Sequence, residues 1–97
     1  MKLGIIGFGN MAEAILGGVL KSNFINKEDA VASGKDDAML KKASDKYGIG
    51  VEKDNCKVVE GSDVILLSVK PQILEEVINE IKEVCTQDKL IISIVAG

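Results

Sequence analysis

A chain of 97 residues with 46% apolar and 28% charged residues has the size and composition of one folded domain, which excludes a disordered segment. Its net charge of −3 and its few aromatic residues, two Phe and one Tyr, argue against nucleic-acid binding, which usually requires a basic face. The lack of histidine, together with the wide spacing of Cys56 and Cys85, excludes a Cys/His zinc site, so no metal site is predicted.

Both cysteines are expected to be reduced thiols of a cytoplasmic protein, although a disulfide between them stays open. The apolar opening, residues 2–20, resembles a secretory leader, but Asn10 and Glu13 interrupt it and no small-residue cleavage region follows. The chain has no uninterrupted apolar run of about 20 residues, so no membrane helix is predicted. We therefore expect a cytoplasmic protein that binds neither membranes nor nucleic acid.

Short apolar runs alternate with helical patterns along the chain. The predicted elements are, in chain order, strand 3–6, helix 10–21, strand 29–33, helix 36–46, strand 49–51, strand 64–69, helix 71–85 and strand 90–95. Pro71 favours the first turn of its helix, because its missing N–H is not needed there. The alternation predicts a parallel sheet with right-handed crossovers: a Rossmann-type, doubly wound α/β fold of about five strands in three α/β/α layers.

The chain stops at Gly97, directly after a fully apolar strand, although a buried parallel strand needs helices over both faces of its sheet. Either a partner chain covers this region, or the sequence is the front part of a longer protein; the second is favoured. Because large apolar patches seldom stay exposed, self-association into a homo-oligomer is expected.

Residues 7–12, Gly-Phe-Gly-Asn-Met-Ala, fit the pattern G-x-G-x-x-G/A between a strand and a helix. Gly7 is assigned to the sharp turn, Gly9 to the close approach of a pyrophosphate, and Ala12 to close packing of the helix on the strand. The helix N-terminus adds free N–H groups and about half a positive charge. The segment therefore predicts dinucleotide binding; a turn whose glycines only save space is the alternative.

The end of the second strand, Ser33-Gly34-Lys35-Asp36, bears on the choice of cofactor. An acidic side chain in the turn itself would bind the ribose hydroxyls and favour NAD. Here a hydroxyl, a glycine N–H and a lysine come first, which suits a 2′-phosphate and favours NADP(H), with NAD(H) still possible. Alternatively, Lys35 is a solvated loop residue; Asp36 suits the N-cap of the next helix in either case.

Two further segments are expected at the same edge of the sheet, since ligands bind beyond the carboxyl ends of the strands, near the switch point between strands one and four. They are residues 68–71, Ser-Val-Lys-Pro, and residues 94–97, Ile-Val-Ala-Gly. By itself, a Lys-Pro step after a buried strand most often marks only a helix start with a surface lysine.

Together, the segments IGFGNMAEAILGG, VILLSVKPQ and IISIVAG resemble the N-terminal domain of pyrroline-5-carboxylate reductase, and the resemblance extends over residues 2–97. It implies an oxidoreductase of proline biosynthesis that reduces the C=N bond of 1-pyrroline-5-carboxylate to L-proline, with residues 1–97 as the NAD(P)-binding domain. It also implies a C-terminal helical domain, absent here, that forms the dimer and the substrate pocket. Without that domain we expect no turnover, and no residue is assigned as catalytic.

Carried over position by position, the resemblance implies cofactor-binding residues in five segments. Ile6, Gly7, Phe8, Gly9, Asn10 and Met11 would hold the pyrophosphate, Ser33, Gly34 and Lys35 the adenosine ribose and any 2′-phosphate, and Asn55 the adenosine, while Ser68, Val69, Lys70, Pro71, Val95, Ala96 and Gly97 would flank the nicotinamide. The family commonly has alanine at positions 68 and 95, and both changes are mild.

Two alternative functions stay open. One is the cofactor domain of another NADP-dependent reductase of the 6-phosphogluconate-dehydrogenase-like group, such as a deazaflavin-dependent enzyme, whose N-terminal half would look alike. The other is a non-catalytic nucleotide-sensing module that binds a partner through the uncovered edge of the sheet.

Overall fold

A parallel sheet of five short strands forms the centre of the molecule. In the computed structural model, which describes residues 1–94, the strands are β1 Leu3–Ile6, β2 Ala30–Ser33, β3 Gly50–Glu52, β4 Val64–Leu67 and β5 Leu90–Ser93. Every pairing is parallel and the order is β3-β2-β1-β4-β5, so β1 lies in the middle. The predicted Rossmann-type parallel sheet is confirmed.

Four α-helices connect these strands: α1 Asn10–Lys21, α2 Asp37–Lys42, α3 Asn55–Glu60 and α4 Pro71–Ile81. The predicted helix 36–46 is two pieces, since a π-helical turn, Ala43–Tyr47, continues α2. Asp36 is its N-cap, with the carboxylate accepting from the N–H of Ala38 at 2.9 Å. No helix is predicted over residues 55–60, yet α3 forms there, because Asp54 caps it by accepting from the Cys56 N–H at 2.9 Å.

Each face of the sheet packs against helices in a separate apolar core, as the three-layer prediction requires. Leu3 and Ile5 of β1 pack in one core with α1 and α2. Ile6, whose side chain points to the opposite face, packs in the other core with α3 and α4. Helices therefore cover both faces of β1, and a ligand can approach this strand at its ends.

Gly4 allows α3 to pack directly against β1. A Cβ at this position would lie 2.6 Å from Val58 Cγ1 and would also collide with the hydroxyl of Ser62. That hydroxyl is buried and donates to the Val58 carbonyl at 2.6 Å, so it has little freedom to move away. Any side chain at position 4 would push α3 off the sheet.

The edge strand β5 leaves aliphatic side chains in contact with solvent. Leu90, Ile91 and Ile92 are 57%, 40% and 44% exposed, and Ile78 on α4 is 43% exposed. The prediction of an uncovered aliphatic strand near residue 90 is therefore confirmed within the described part of the chain. Over the same residues, none of the helices has the length and apolarity that crossing a membrane requires.

Candidate functional site

An open cavity of about 630 Å³ lies at the carboxyl ends of β1, β2 and β4. This is the edge of the sheet where the strand order reverses, the position at which open α/β sheets bind ligands. The residues that line it come from the turn after β1 with the start of α1, from the turn after β2 with α2, from the loop before α3 with its first residue, from the turn after β4, and from one face of α4. Those residues are Ile6, Gly7, Phe8, Gly9, Asn10, Met11, Gly34, Lys35, Asp36, Met39, Leu40, Lys53, Asn55, Ser68, Val69, Lys70, Ile73, Glu76, Val77 and Glu80.

The turn after β1 is held by its glycines in a shape that other residues would not adopt. Gly7 has a φ of +84°, and its N–H donates to the Ser33 carbonyl at the end of β2 at 2.9 Å. A Cβ on Gly7 would lie 2.7 Å from Val69 Cγ1 and would also meet the Ser68 carbonyl. The turn is therefore wedged between the ends of β2 and β4.

Gly9 serves a different purpose, because a Cβ there would meet no atom within 4 Å. It is the N-cap of α1, and no described side chain caps this helix, so the first-turn N–H groups stay available to an anion. Ala12, one turn on, is fully buried, as close packing of α1 on the sheet requires. Open space above a helix N-terminus is the geometry that a bound pyrophosphate needs.

The end of β2 brings two of its three predicted residues to the cavity surface. Gly34 and Lys35 line the cavity, whereas Ser33 lies beneath it and is fully buried. The Ser33 hydroxyl donates to Asn55 Oδ1 at 2.6 Å instead of pointing into the open space. Asn55 itself lines the cavity, and its Nδ2 donates to Glu80 Oε1 at 2.8 Å.

The turn after β4 brings Ser68, Val69 and Lys70 to the cavity. The Ser68 N–H donates to the Ile6 carbonyl at 2.9 Å, which joins this turn to β1. Pro71 occupies the first turn of α4, as predicted, and it is absent from the cavity lining. The predicted contacts of Val95, Ala96 and Gly97 lie outside the described residues.

Several residues of the cavity were not predicted from the sequence. Lys53, in the loop before α3, lies on its rim and pairs with the Asp37 carboxylate at 2.5 Å. The N-cap residue Asp36, Met39 and Leu40 of α2, and the α4 residues Ile73, Glu76, Val77 and Glu80 complete the set. The periodicity of α4 predicts an apolar face, but it cannot tell which end of that face the sheet leaves open.

An ionic cluster behind the glycine turn ties α1 to the π-helical turn. The Glu13 carboxylate accepts from Lys42 at 2.8 Å, from Lys46 at 3.0 Å and from the Tyr47 hydroxyl at 2.8 Å. These donors, Lys42 foremost, lower the pKa of Glu13 to about 2, so it is ionised at neutral pH. The Tyr47 ring meets Phe8 edge to face, with centroids 6.1 Å apart, which supports the turn from behind.

The described part of the cavity wall offers binding groups and no activated nucleophile. Cys56 follows Asn55, but its Sγ donates to the Glu80 carbonyl at 3.3 Å, and burial raises the pKa of its thiol. Both cysteines are free thiols. No group of three His, Cys, Asp or Glu side chains within residues 1–94 could hold a metal ion.

Comparisons with known proteins agree with this geometry. A family model described as NADP oxidoreductase, coenzyme F420-dependent, matches residues 2–97. The chain is 41% identical over 96 residues to the pyrroline-5-carboxylate reductase of Methanosarcina acetivorans, with 99% of this chain and 36% of the relative covered. It is 33% identical to the pyrroline-5-carboxylate reductase of Escherichia coli over 99% of this chain and 36% of that one.

Solved structures give the same result. The chain matches a pyrroline-5-carboxylate reductase from Coxiella burnetii with a TM-score of 0.91 and 27% identity, over 99% of this chain and 36% of the other. It matches the Plasmodium falciparum pyrroline carboxylate reductase with NADP bound at a TM-score of 0.79 and 31% identity, over 98% and 33%. The resemblance predicted from the sequence is thus confirmed, although the chain spans only about a third of the length of these relatives. By the match over residues 2–97, the chain belongs to the family of NADP oxidoreductases described as coenzyme F420-dependent.

Proposed function

We propose that this chain is the dinucleotide-binding domain of a pyrroline-5-carboxylate reductase, which forms L-proline from 1-pyrroline-5-carboxylate with NADPH. The observation that carries the proposal is the glycine turn: Gly7 at positive φ, and Gly9 with open space above the N-terminus of α1. The identity of the relatives as pyrroline-5-carboxylate reductases, and the NADP bound in the Plasmodium falciparum structure, support it.

The cavity would hold the dinucleotide along its length. The turn of residues 7–11 would bind the pyrophosphate through backbone N–H groups, with Gly34, Lys35 and Asn55 at the adenosine end and residues 68–70 at the nicotinamide end. The bound nicotinamide supplies the hydride. The chain's own residues bind and orient, and the acceptor would be held by parts of the enzyme beyond this domain.

A preference for NADPH over NADH is proposed from Lys35, which lines the cavity beside the end of β2 without an acidic residue before it. Calorimetric titration with both cofactors tests binding and preference together. Lys35→Ala is expected to weaken NADPH binding about 10- to 100-fold, because a charge-assisted hydrogen bond to phosphate contributes about 1.5–3 kcal/mol, and to leave NADH nearly unchanged.

Lys21→Ala is the matched control, since it removes an exposed lysine from the far end of α1, about 18 Å from the glycine turn. It should leave both affinities unchanged. Equal losses of NADPH and NADH binding in Lys35→Ala would contradict the 2′-phosphate contact. No binding of either cofactor at millimolar concentration would contradict the dinucleotide function itself.

A second candidate is the cofactor domain of a deazaflavin-dependent NADP reductase, which the description of the matching family favours. The two candidates differ in the hydride acceptor. The 97-residue chain is expected to oxidise NADPH with neither acceptor, since the substrate pocket is proposed to need a helical domain. Proline formation by the chain alone would contradict that need, and NADPH oxidation with coenzyme F420 alone would favour the second candidate.

Assembly as a homo-oligomer and a cytoplasmic location stay predictions. The exposed side chains of Leu90, Ile91 and Ile92 support association, because solvent-exposed aliphatic clusters favour burial against another surface. Light scattering across a concentration series would measure the mass of the species in solution. A monomer at all concentrations would contradict the prediction of an oligomer for this chain.

A further inference from the structure

We propose that Ser33 and Glu80 are positioning residues, which fix the side-chain amide of Asn55 in a single orientation for the adenosine ribose of the bound dinucleotide. The inference rests on the proposed function, since it assigns the ribose to this end of the cavity. It concerns three side chains that two hydrogen bonds link in series, one each from β2, the start of α3, and α4.

Ser33 is the buried member of this series of hydrogen-bonded side chains. Its side chain has no exposed surface, so it cannot contact a ligand in the cavity directly. Its hydroxyl is directed at Asn55 Oδ1, 2.6 Å away, and no buried side-chain polar atom among the described residues lacks a partner. The Ser33 hydroxyl therefore holds the amide oxygen of Asn55 on the side of β2.

Glu80 is the exposed member of the series, and it determines the orientation of the Asn55 side-chain amide. A hydroxyl can donate or accept, so Ser33 alone would tolerate either orientation of Asn55. An ionised carboxylate only accepts, so the amide group 2.8 Å from Glu80 Oε1 has to be the NH₂ of Asn55. With the NH₂ placed against α4, the amide oxygen turns to β2 and Ser33 donates to it.

The fixed amide keeps one N–H and one oxygen lone pair for a ligand in the cavity. A group that both donates and accepts matches a ribose hydroxyl, which does the same. A phosphate offers acceptors only and would use only the donor of this group. NADPH carries its 2′-phosphate on this ribose, so the hydroxyl that both cofactors share is the 3′-hydroxyl, and the Asn55 amide is assigned to it. Substitutions of Ser33, Asn55 or Glu80 should therefore affect NADPH and NADH equally, whereas substitution of Lys35 should affect NADPH alone.

A double-mutant cycle on Ser33 and Asn55, read by calorimetric titration, tests the inference. Ser33→Ala is expected to weaken NADPH and NADH by the same factor, about 3- to 10-fold, the range of one neutral hydrogen bond. In the Asn55→Ala background the same substitution should have no further effect, because the group that it positions is gone. A purely structural role of Ser33 would weaken binding equally in both backgrounds, and that result would overturn the inference.

Glu80 supplies an independent test on the surface of α4, where substitution leaves the fold intact. Glu80→Ala removes the acceptor and should weaken both cofactors about 3- to 10-fold, whereas Glu80→Gln keeps an acceptor but adds a donor, so it fixes the amide only in part and should weaken both by less. Glu83→Ala removes an exposed acid beyond the end of α4 and is the control for net charge. Equal affinities of the Gln and Ala variants would overturn the role of Glu80.

The outcomes separate this inference from the proposed function. If the unaltered chain binds both cofactors and the cycle shows no coupling, the inference fails while the dinucleotide site stands. If the unaltered chain binds neither cofactor, both fail together. A cofactor-dependent effect of Ser33→Ala, with loss of NADPH alone, would also overturn the inference and return Ser33 to the neighbourhood of the 2′-phosphate.

Discussion

Gly9→Ala separates the role of the glycine turn in binding from its role in folding. A Cβ at position 9 meets nothing within 4 Å, so the methyl group fits the folded chain without a clash. Replacing glycine lowers the entropy of the unfolded chain, which stabilises by about 0.4–1 kcal/mol. Alanine is also a poorer N-cap than glycine, which offsets a similar amount. The free energy of unfolding in urea should therefore change by less than about 1 kcal/mol.

Binding should respond very differently. The methyl group would fill the space through which a pyrophosphate reaches the backbone N–H groups of α1. Loss of one charge-assisted hydrogen bond, about 1.5–3 kcal/mol, corresponds to about 10- to 100-fold weaker NADPH binding by calorimetric titration. The argument therefore predicts a large change in affinity with almost none in stability.

Gly18→Ala is the matched control, because a Cβ there also meets nothing within 4 Å, on the exposed side of α1 outside the cavity. It should gain about 0.8–1 kcal/mol of stability from helix propensity and leave NADPH binding unchanged. Wild-type affinity in Gly9→Ala would refute the reasoning, since the phosphates would then not lie against this turn. Equal losses of stability and affinity would show that the methyl distorts the turn itself.

Three further substitutions test other parts of the structure. Gly4→Ala places a methyl group 2.6 Å from Val58 Cγ1, and urea unfolding should show a loss of about 1–3 kcal/mol. The pKa of Glu13 is lowered from 4.5 to about 2 in the folded chain, so its contribution is complete above about pH 4.5 and is lost as pH falls towards 2. The unfolding midpoint of Glu13→Gln should therefore fall less over that range. Lys53 lies on the cavity rim two residues before Asn55, at the proposed adenosine end, so its ammonium would meet a 2′-phosphate there. Asp37→Asn releases that ammonium, now 2.5 Å from the carboxylate, and should strengthen NADPH binding about 2- to 5-fold in calorimetry, with a smaller change for NADH.

Each of these expectations has an outcome that contradicts it. Unchanged stability of Gly4→Ala would mean that α3 shifts at little cost. Parallel acid-unfolding profiles for Glu13→Gln and the unaltered chain would place the acid-sensitive group elsewhere. If Asp37→Asn strengthens NADPH binding equally when Lys53 is already alanine, the gain comes from removing a negative charge and owes nothing to a released lysine.

The parts of the fold that the sequence predicts are those with a strong local signal. The apolar runs of β1 and β4, the periodicity of α1 and α4, and the N-cap at Asp36 each follow from a few neighbouring residues. The glycine turn is equally local, because the φ of Gly7 and the open space at Gly9 are properties of one short segment. Most of the residues that line the cavity lie in or next to these elements.

What the sequence cannot predict depends on residues far apart in the chain. Helix α3 is only six residues long, shorter than two turns, so periodicity does not reveal it. The burial of Ser33 follows from its contact with Asn55, 22 residues away, and the position of Glu80 in the cavity follows from the packing of α4 on the sheet. The sequence suggests Ser33 as a direct contact of the ribose. In the structure Ser33 is buried, and it supports Asn55, which faces the cavity instead.

The central position of β1 also sets the order in which the chain can fold. Its second neighbour, β4, is far along the sequence: the Lys2 N–H donates to Asp63 Oδ2 across a separation of 61 residues. The loop between β1 and β4 has to close before their pairing contributes any stability, so folding should be slower than in a domain whose contacts are mostly local. During synthesis on the ribosome, the cavity can form only after β4 has been made and has paired with β1. A molecule that binds the cavity recognises only the completed sheet, and at 100 times its Kd it would stabilise the whole domain by about 2.7 kcal/mol.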